Sequence, residues 1–193
     1  SYFIILPYTE EIKKANKKVK ELPAEEWLHG RYEGQMLLEE MCEYLMSKLS
    51  DAGFESLAPS LDDRFWTNDY DKKYDILFTS NWSERHIAFV CGLGTFGLSK
   101  GLITRKGTAG RFGSILTDLF LTPDTREYKD VYEYCNMCGI CAKKCPSSAI
   151  SVENGKDCLP CYEFIEETLR KNYPRYGCGK CQVGVPCESR IPL

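Results

Sequence analysis

The chain has 193 residues, 43% of them apolar, and a formal net charge of −3. That length holds one domain, or one domain with a small appendage. The charge disfavours a non-specific nucleic-acid binder, which is normally basic. No apolar run approaches the ~18 residues that span a bilayer.

Residues 2–8 read as a buried strand that Pro7 ends. Thr9, Glu10 and Glu11 give a helix-start signal, and the helix is expected to run to about Lys20. Lys13, Lys14, Lys17, Lys18 and Lys20 form a cationic run flanked by Glu10, Glu11 and Glu21, which reads as a solvated helix face. The longest helical pattern covers residues 32–52. Leu38, Met41, Leu45 and Leu49 recur along it and Gly53 stops it. Cys42 lies beside that stripe and reads as a core thiol.

Residues 54–58 and 75–79 are expected strands. Ser83 and Glu84 open a short helix over 84–91 that stops at Gly92. Residues 102–105 and 112–121 are expected strands joined by a turn at Gly107–Gly110. His29 and His86 have no partner at metal spacing and read as structural or solvated, and Cys91 reads as a small core residue. This mixture predicts an α+β domain over 1–125. Hydrophobic periodicity fades from about Tyr134 as cysteine density rises, so residues 126–193 are expected to be a second, small domain held by metal clusters.

Gly92-Leu-Gly94-Thr-Phe-Gly97 matches G-x-G-x-x-G, but the expected helix precedes it and a loop follows it. A dinucleotide site needs a strand before the motif and a helix after it. The run therefore reads as a turn that brings backbone close to something bulky, or as an ordinary helix stop.

Cys135-Asn-Met-Cys138-Gly-Ile-Cys141-Ala-Lys-Lys-Cys145-Pro146 is C-x2-C-x2-C-x3-C-P, the run that holds [4Fe–4S] clusters in bacterial ferredoxins. Its fourth cysteine serves a different cluster from the first three, so the spacing predicts two clusters and four more cysteines downstream. Cys178, Cys181 and Cys187 supply three, and the pair Cys158 and Cys161 offers two candidates for the other. By crossover, one cluster takes Cys135, Cys138, Cys141 and Cys187. The other takes Cys145, Cys158, Cys178 and Cys181, with Cys161 spare. Structural zinc sites pair two short cysteine arms and seldom add a third cysteine and a Cys-Pro. Disulfides would need an exported protein. The apolar opening is too short for a signal peptide, so eleven cysteines point to ligation in a reducing cytoplasm. The chain opens on Ser1, as a processed product or a piece of a longer protein does.

The stretch from Ser83 through Ala-Phe-Val-Cys91-Gly92-Leu93-Gly94-Thr-Phe-Gly97, followed by Gly113-Ser114-Ile115-Leu116-Thr117-Asp118-Leu119, resembles the epoxyqueuosine reductase and reductive dehalogenase superfamily. Those proteins carry A-G-L-G-x-x-G, then G-x-I-x-T-D-L, then a two-cluster ferredoxin domain with a lone cysteine between its motifs. Cys158 stands at that lone position.

The resemblance implies a nitroreductase-like α/β sandwich that holds a corrinoid (cobalamin) against Gly92, Gly94, Gly97, Gly113 and Ser114, with a bacterial ferredoxin-like domain behind it. It implies an iron–sulfur oxidoreductase relaying electrons through two [4Fe–4S] clusters to a corrinoid or small-molecule substrate. The donor would be a ferredoxin or flavodoxin. Phe78 stands where epoxyqueuosine reductases carry an acidic proton donor, with Asp75 the nearest upstream acid, which argues against epoxyqueuosine as substrate. No catalytic residue is singled out. The competing readings are an electron-transfer protein serving a partner enzyme without its own substrate site, and a domain that its clusters merely staple.

Overall fold

The computed structural model describes residues 1–71 and 76–192. β1 (Tyr2–Pro7), β2 (Ser56–Leu57) and β7 (Gly110–Thr117) form an antiparallel sheet with β7 in the centre. Tyr2 pairs with Ile115 and Pro7 with Gly110. Pro7 is tolerated because β1 is an edge strand and Pro7 is its last residue. Between these strands lie α1 (Glu10–Lys18), α2 (Glu25–Asp51), the hairpin of β3 (Thr67–Asp71) and β4 (Ile76–Ser80), α3 (Glu84–Val90), and the hairpin of β5 (Gly94–Phe96) and β6 (Leu102–Thr104). After β7 come α4 (Ile140–Lys143), the short hairpin of β8 (Ile150–Ser151) and β9 (Gly155–Lys156), and α5 (Cys158–Asn172).

The Thr9 side chain accepts the Ile12 amide, and Glu10 and Glu11 fill the first turn of α1, so the helix starts where its signals stand. α2 starts seven residues before the expected Tyr32. Glu25 and Glu26 occupy its first turn, and Trp27 and Leu28 are buried. Trp27 packs edge-on against Tyr8 at 4.6 Å between ring centroids. Gly30 lies inside the helix because Ile12 of α1 leans on it, 3.0 Å from where a Cβ would be.

α2 covers the sheet. Leu38 and Cys42 pack on Ile4, Ala58 and Ile115, so Cys42 is the expected core thiol. Gly113 on β7 allows that approach, since a Cβ there would stand 3.1 Å from Leu38 and 3.3 Å from the Cys42 sulfur. A second core joins Ala88 of α3 to Phe96 and Leu102 of the β5–β6 hairpin.

Three further expectations differ from the structure. The residues after Leu93 form strand β5, because Gly94 to Phe96 pair with Thr104 to Leu102. α5 is a 15-residue helix in the stretch where hydrophobic periodicity fades. The Asp157 side chain caps it by accepting the Leu159 amide. The lysine run is also not wholly solvated. Lys13 is buried and donates to Ser189 Oγ at 2.7 Å, while Lys17 pairs with Glu188 at 2.6 Å. Of the expected strand over 75–79, residues 76–79 belong to β4, and Asp75 lies outside the described residues. Among the described residues no helix is long and apolar enough to cross a membrane.

Candidate metal centre

Cys135, Cys138, Cys141 and Cys187 line one cavity, with Gly97, Leu98 and Ser99 in its wall. Its empty space is about 350 Å³, part of it open to solvent. Gly139, in the left-handed region at φ +70°, turns the chain into α4, which carries Cys141. Cys187 arrives from about fifty residues away, and backbone bonds hold it there. The Thr108 amide donates to the Cys187 carbonyl at 2.9 Å, and the Ala109 amide to that of Glu188 at 3.2 Å. Gly107 makes this possible, because a Cβ there would meet the Glu188 carbonyl oxygen at 2.3 Å.

A second group of thiols surrounds the half-buried Cys181. Its sulfur lies in the field of Cys161, Cys145 and the Lys156 ammonium. Cys178 faces Cys181 and Cys161. The Lys156 ammonium bonds Cys161 and is also near Cys181 and Cys158. Cys158 and Cys161 stand at i and i+3 on α5, on one side of the helix. The Cys158 sulfur accepts from the Lys100 ammonium at 3.5 Å.

α1 seats this second group. Asn16, fully buried, donates to the Cys178 carbonyl at 3.0 Å and accepts the Ala24 amide at 3.0 Å. The Lys180 ammonium donates to the Asn16 carbonyl, Asn16 Oδ1 and the Val19 carbonyl at 2.6–2.9 Å. None of these long-range bonds has a local sequence signal.

Burial, then neighbouring thiols, drives the sulfur pKa values up. Cys141 rises to about 11 and Cys187 to about 12. Cys178 also rises to about 12, chiefly by burial. These three thiols, when free, hold their protons at neutral pH, so ligation must expel them. Among the described residues no three His, Cys, Asp or Glu side chains converge where a single ion could be held. Tetrahedral zinc needs its sulfurs about 2.3 Å from one centre. A [4Fe–4S] cubane gives each thiolate its own iron and spreads the four apart, which suits a ring of cysteines around a cavity.

The five residues that the resemblance set against a corrin are occupied otherwise. A Cβ on Gly94 would stand 2.1 Å from the Ile103 carbonyl oxygen, and the Gly94 amide donates to Tyr128 Oη at 3.3 Å. Tyr128 in turn donates to the Phe89 carbonyl. Gly92 adopts φ +86° beside Arg126, and Gly97 faces Ile103. Gly113 admits Leu38 and Cys42, and the fully buried Ser114 accepts Trp82 Nε1 at 3.1 Å. Their small size serves close packing within the protein. The faces that these contacts fill leave no room there for a macrocycle. The bulky neighbour of the glycine turn is the four-cysteine cavity, where the Leu98 amide donates to the Cys135 sulfur at 3.5 Å.

Glu84, which the sequence offered only as a helix-start signal, is a half-buried acid whose environment is unusual. One carboxylate oxygen accepts Trp82 Nε1 at 3.2 Å, and the other is buried without a hydrogen-bond partner. Burial raises its pKa, and the neighbouring Ser114 and Trp82 oppose that rise. His86 bonds Ser83 at 2.7 Å and lies 4.9 Å from the Phe96 ring, while half-buried His29 stands 3.6 Å from Glu25 and Glu33. Cys91 is half-buried, with its sulfur 3.7 Å from Ser1 Oγ.

A 4Fe-4S binding domain matches residues 128–151. The tetrachloroethene reductive dehalogenase of Dehalobacter restrictus is 43% identical over 114 residues, 55% of this chain and 21% of that protein. That of Desulfitobacterium hafniense is 34% identical over the same shares. The epoxyqueuosine reductase of Francisella cf. novicida is 28% identical over 123 residues, 57% of this chain and 33% of that protein. This chain is related to the reductive dehalogenases and epoxyqueuosine reductases. The match spans only about a fifth to a third of the length of these relatives. The solved catabolic reductive dehalogenase NpRdhA aligns over 67% of this chain and 19% of its own, at 20% identity and a TM-score of 0.44. The chain is an iron–sulfur protein with a ferredoxin-like 4Fe-4S region, and its similarity is to reductases.

Proposed function

We propose that the chain is a two-cluster [4Fe–4S] electron relay of the reductase type, taking electrons from a carrier protein and passing them between clusters. The observation that carries this reading is the single cavity shared by Cys135, Cys138, Cys141 and Cys187. Its crossed membership, three thiols from one run and one from the far end of the chain, is that of a two-cluster ferredoxin. The second cluster takes Cys145, Cys178, Cys181 and a thiol of α5. The neighbourhood of Cys161 with both Cys178 and Cys181 supports Cys161 there in place of Cys158. The reading treats residues 126–193 as the cluster region, docked on the α+β part (1–125) through α1 and the Gly107 turn. The reading requires neither the nitroreductase-like sandwich nor cobalamin.

Anaerobic reconstitution tests the reading. The protein should carry about eight irons and matching sulfide, with two reducible S = 1/2 centres by electron paramagnetic resonance. Stoichiometric zinc, or four irons only, overturns it.

One observation favours a second reading, a reductase with its own substrate. A reduction consumes protons as well as electrons, and the Glu84 carboxyl is held toward its protonated form with one oxygen unpartnered. Turnover of an organohalide or an epoxide by the purified protein, lost in Glu84→Gln with both clusters intact, would establish that reading.

A further inference from the structure

On the other side of the second thiol group lies a cleft of about 600 Å³ that the relay itself does not use. Five lysines line it, Lys17, Lys20, Lys143, Lys144 and Lys180, against one acid, Glu21. The whole chain carries net charge −3, so this face runs against its overall sign. Two of the five are already engaged. Lys180 holds the carbonyls of α1, and Lys17 pairs with Glu188. Lys20 and Lys143 are exposed at the rim. Cys145, the crossover thiol of the run, is in the cleft wall.

We propose that this cleft is the docking surface for an acidic one-electron carrier protein that reduces the second cluster. The inference rests on the two-cluster reading above. A cationic face around a thiolate ligand does two things for such a carrier. It attracts a negatively charged surface over a Debye length, and it sets the carrier's redox centre beside the cluster. The step is a single electron transfer. The reduced flavin or iron–sulfur centre of the carrier is oxidised by one electron, and one [4Fe–4S]²⁺ becomes [4Fe–4S]¹⁺. No bond forms or breaks. A small anion is the poorer occupant, because it would engage only part of a five-lysine lining in a cleft of this size.

The test uses reconstituted full-length protein, with iron, sulfide and spin count measured first for every variant. Stopped-flow reduction by photoreduced flavodoxin is then compared with reduction by methyl viologen radical, a small cation. The wild-type rate with flavodoxin should fall about tenfold between low salt and ~0.3 M NaCl. Lys20→Glu with Lys143→Glu should slow it about tenfold at low salt and flatten the salt dependence. The same variant should match wild type with methyl viologen, and Lys48→Glu, outside the cleft, should match it with both.

Equal flavodoxin rates in wild type and the double reversal overturn the docking surface while leaving the clusters in place. An equal loss in Lys48→Glu overturns it as well. Saturable inhibition by inorganic phosphate at matched ionic strength, with no flavodoxin effect in the double variant, makes the cleft a small-anion site and overturns it. If wild type itself lacks the second cluster, the two-cluster reading falls and takes the proposal with it.

Discussion

The Leu98 amide points at the Cys135 sulfur, 3.5 Å away, and thereby joins the glycine turn to the cysteine run. A hydrogen bond to a cluster thiolate stabilises the reduced, more negative state and raises the potential. Leu98→Pro removes the donor and Leu98→Ala keeps it, while both lose the buried side chain. The proline variant should therefore show a first-cluster potential below that of the alanine variant in an electron paramagnetic resonance redox titration. Equal potentials with the cluster intact would show that the bond carries no weight.

The α5 cysteines separate by their neighbours. Cys161 is in the field of Cys178 and Cys181, whereas Cys158 accepts from Lys100. Cys161→Ser should lose about half the iron after reconstitution, one cubane of two, and Cys158→Ser should retain it all. Iron analysis checks this directly, and the reverse pattern restores Cys158 as the ligand.

Gly94 distinguishes internal packing from a cofactor wall. Its missing Cβ is opposed by the backbone carbonyl of Ile103, which cannot swing aside as a side-chain tip can. Gly94→Val should therefore cost about 1–3 kcal/mol of stability, the usual range for overpacking. It should lower the thermal midpoint with no cofactor added. A corrin wall predicts a variant of normal stability that has lost only cobalamin binding.

What could be read from the sequence divides along contact range. β1, the Thr9 cap, the Cys42 stripe of α2 and the cysteine run each depend on neighbours a few residues away, and the structure has them where their signals stand. The early start of α2 was masked by Gly30, whose missing side chain makes room for Ile12 across a helix contact. The roles of Lys13, Asn16 and Lys17 depend on partners at 178, 188 and 189. Nothing local distinguishes such lysines from a solvated face. α5 lacks a strong apolar stripe, since half-buried Cys158 and Cys161 stand among the residues it turns inward.

Glu84 supplies a pH test that is independent of the clusters' chemistry. Burial raises its folded-state pKa above the ordinary glutamate value, so the fold binds that proton more tightly than the unfolded chain does. Its contribution to stability is complete below the unfolded pKa and is lost as pH rises through the folded value. Above that, the folded protein carries a half-buried carboxylate with one oxygen unpartnered. Glu84→Gln removes the ionisation and keeps an acceptor for Trp82. The denaturation midpoint of the variant, measured against wild type from pH 4 to pH 8, should gain on wild type as pH rises. A gap that stays constant over that range, or narrows, would mean that Glu84 is charged in the fold at neutral pH and cannot serve as a proton source.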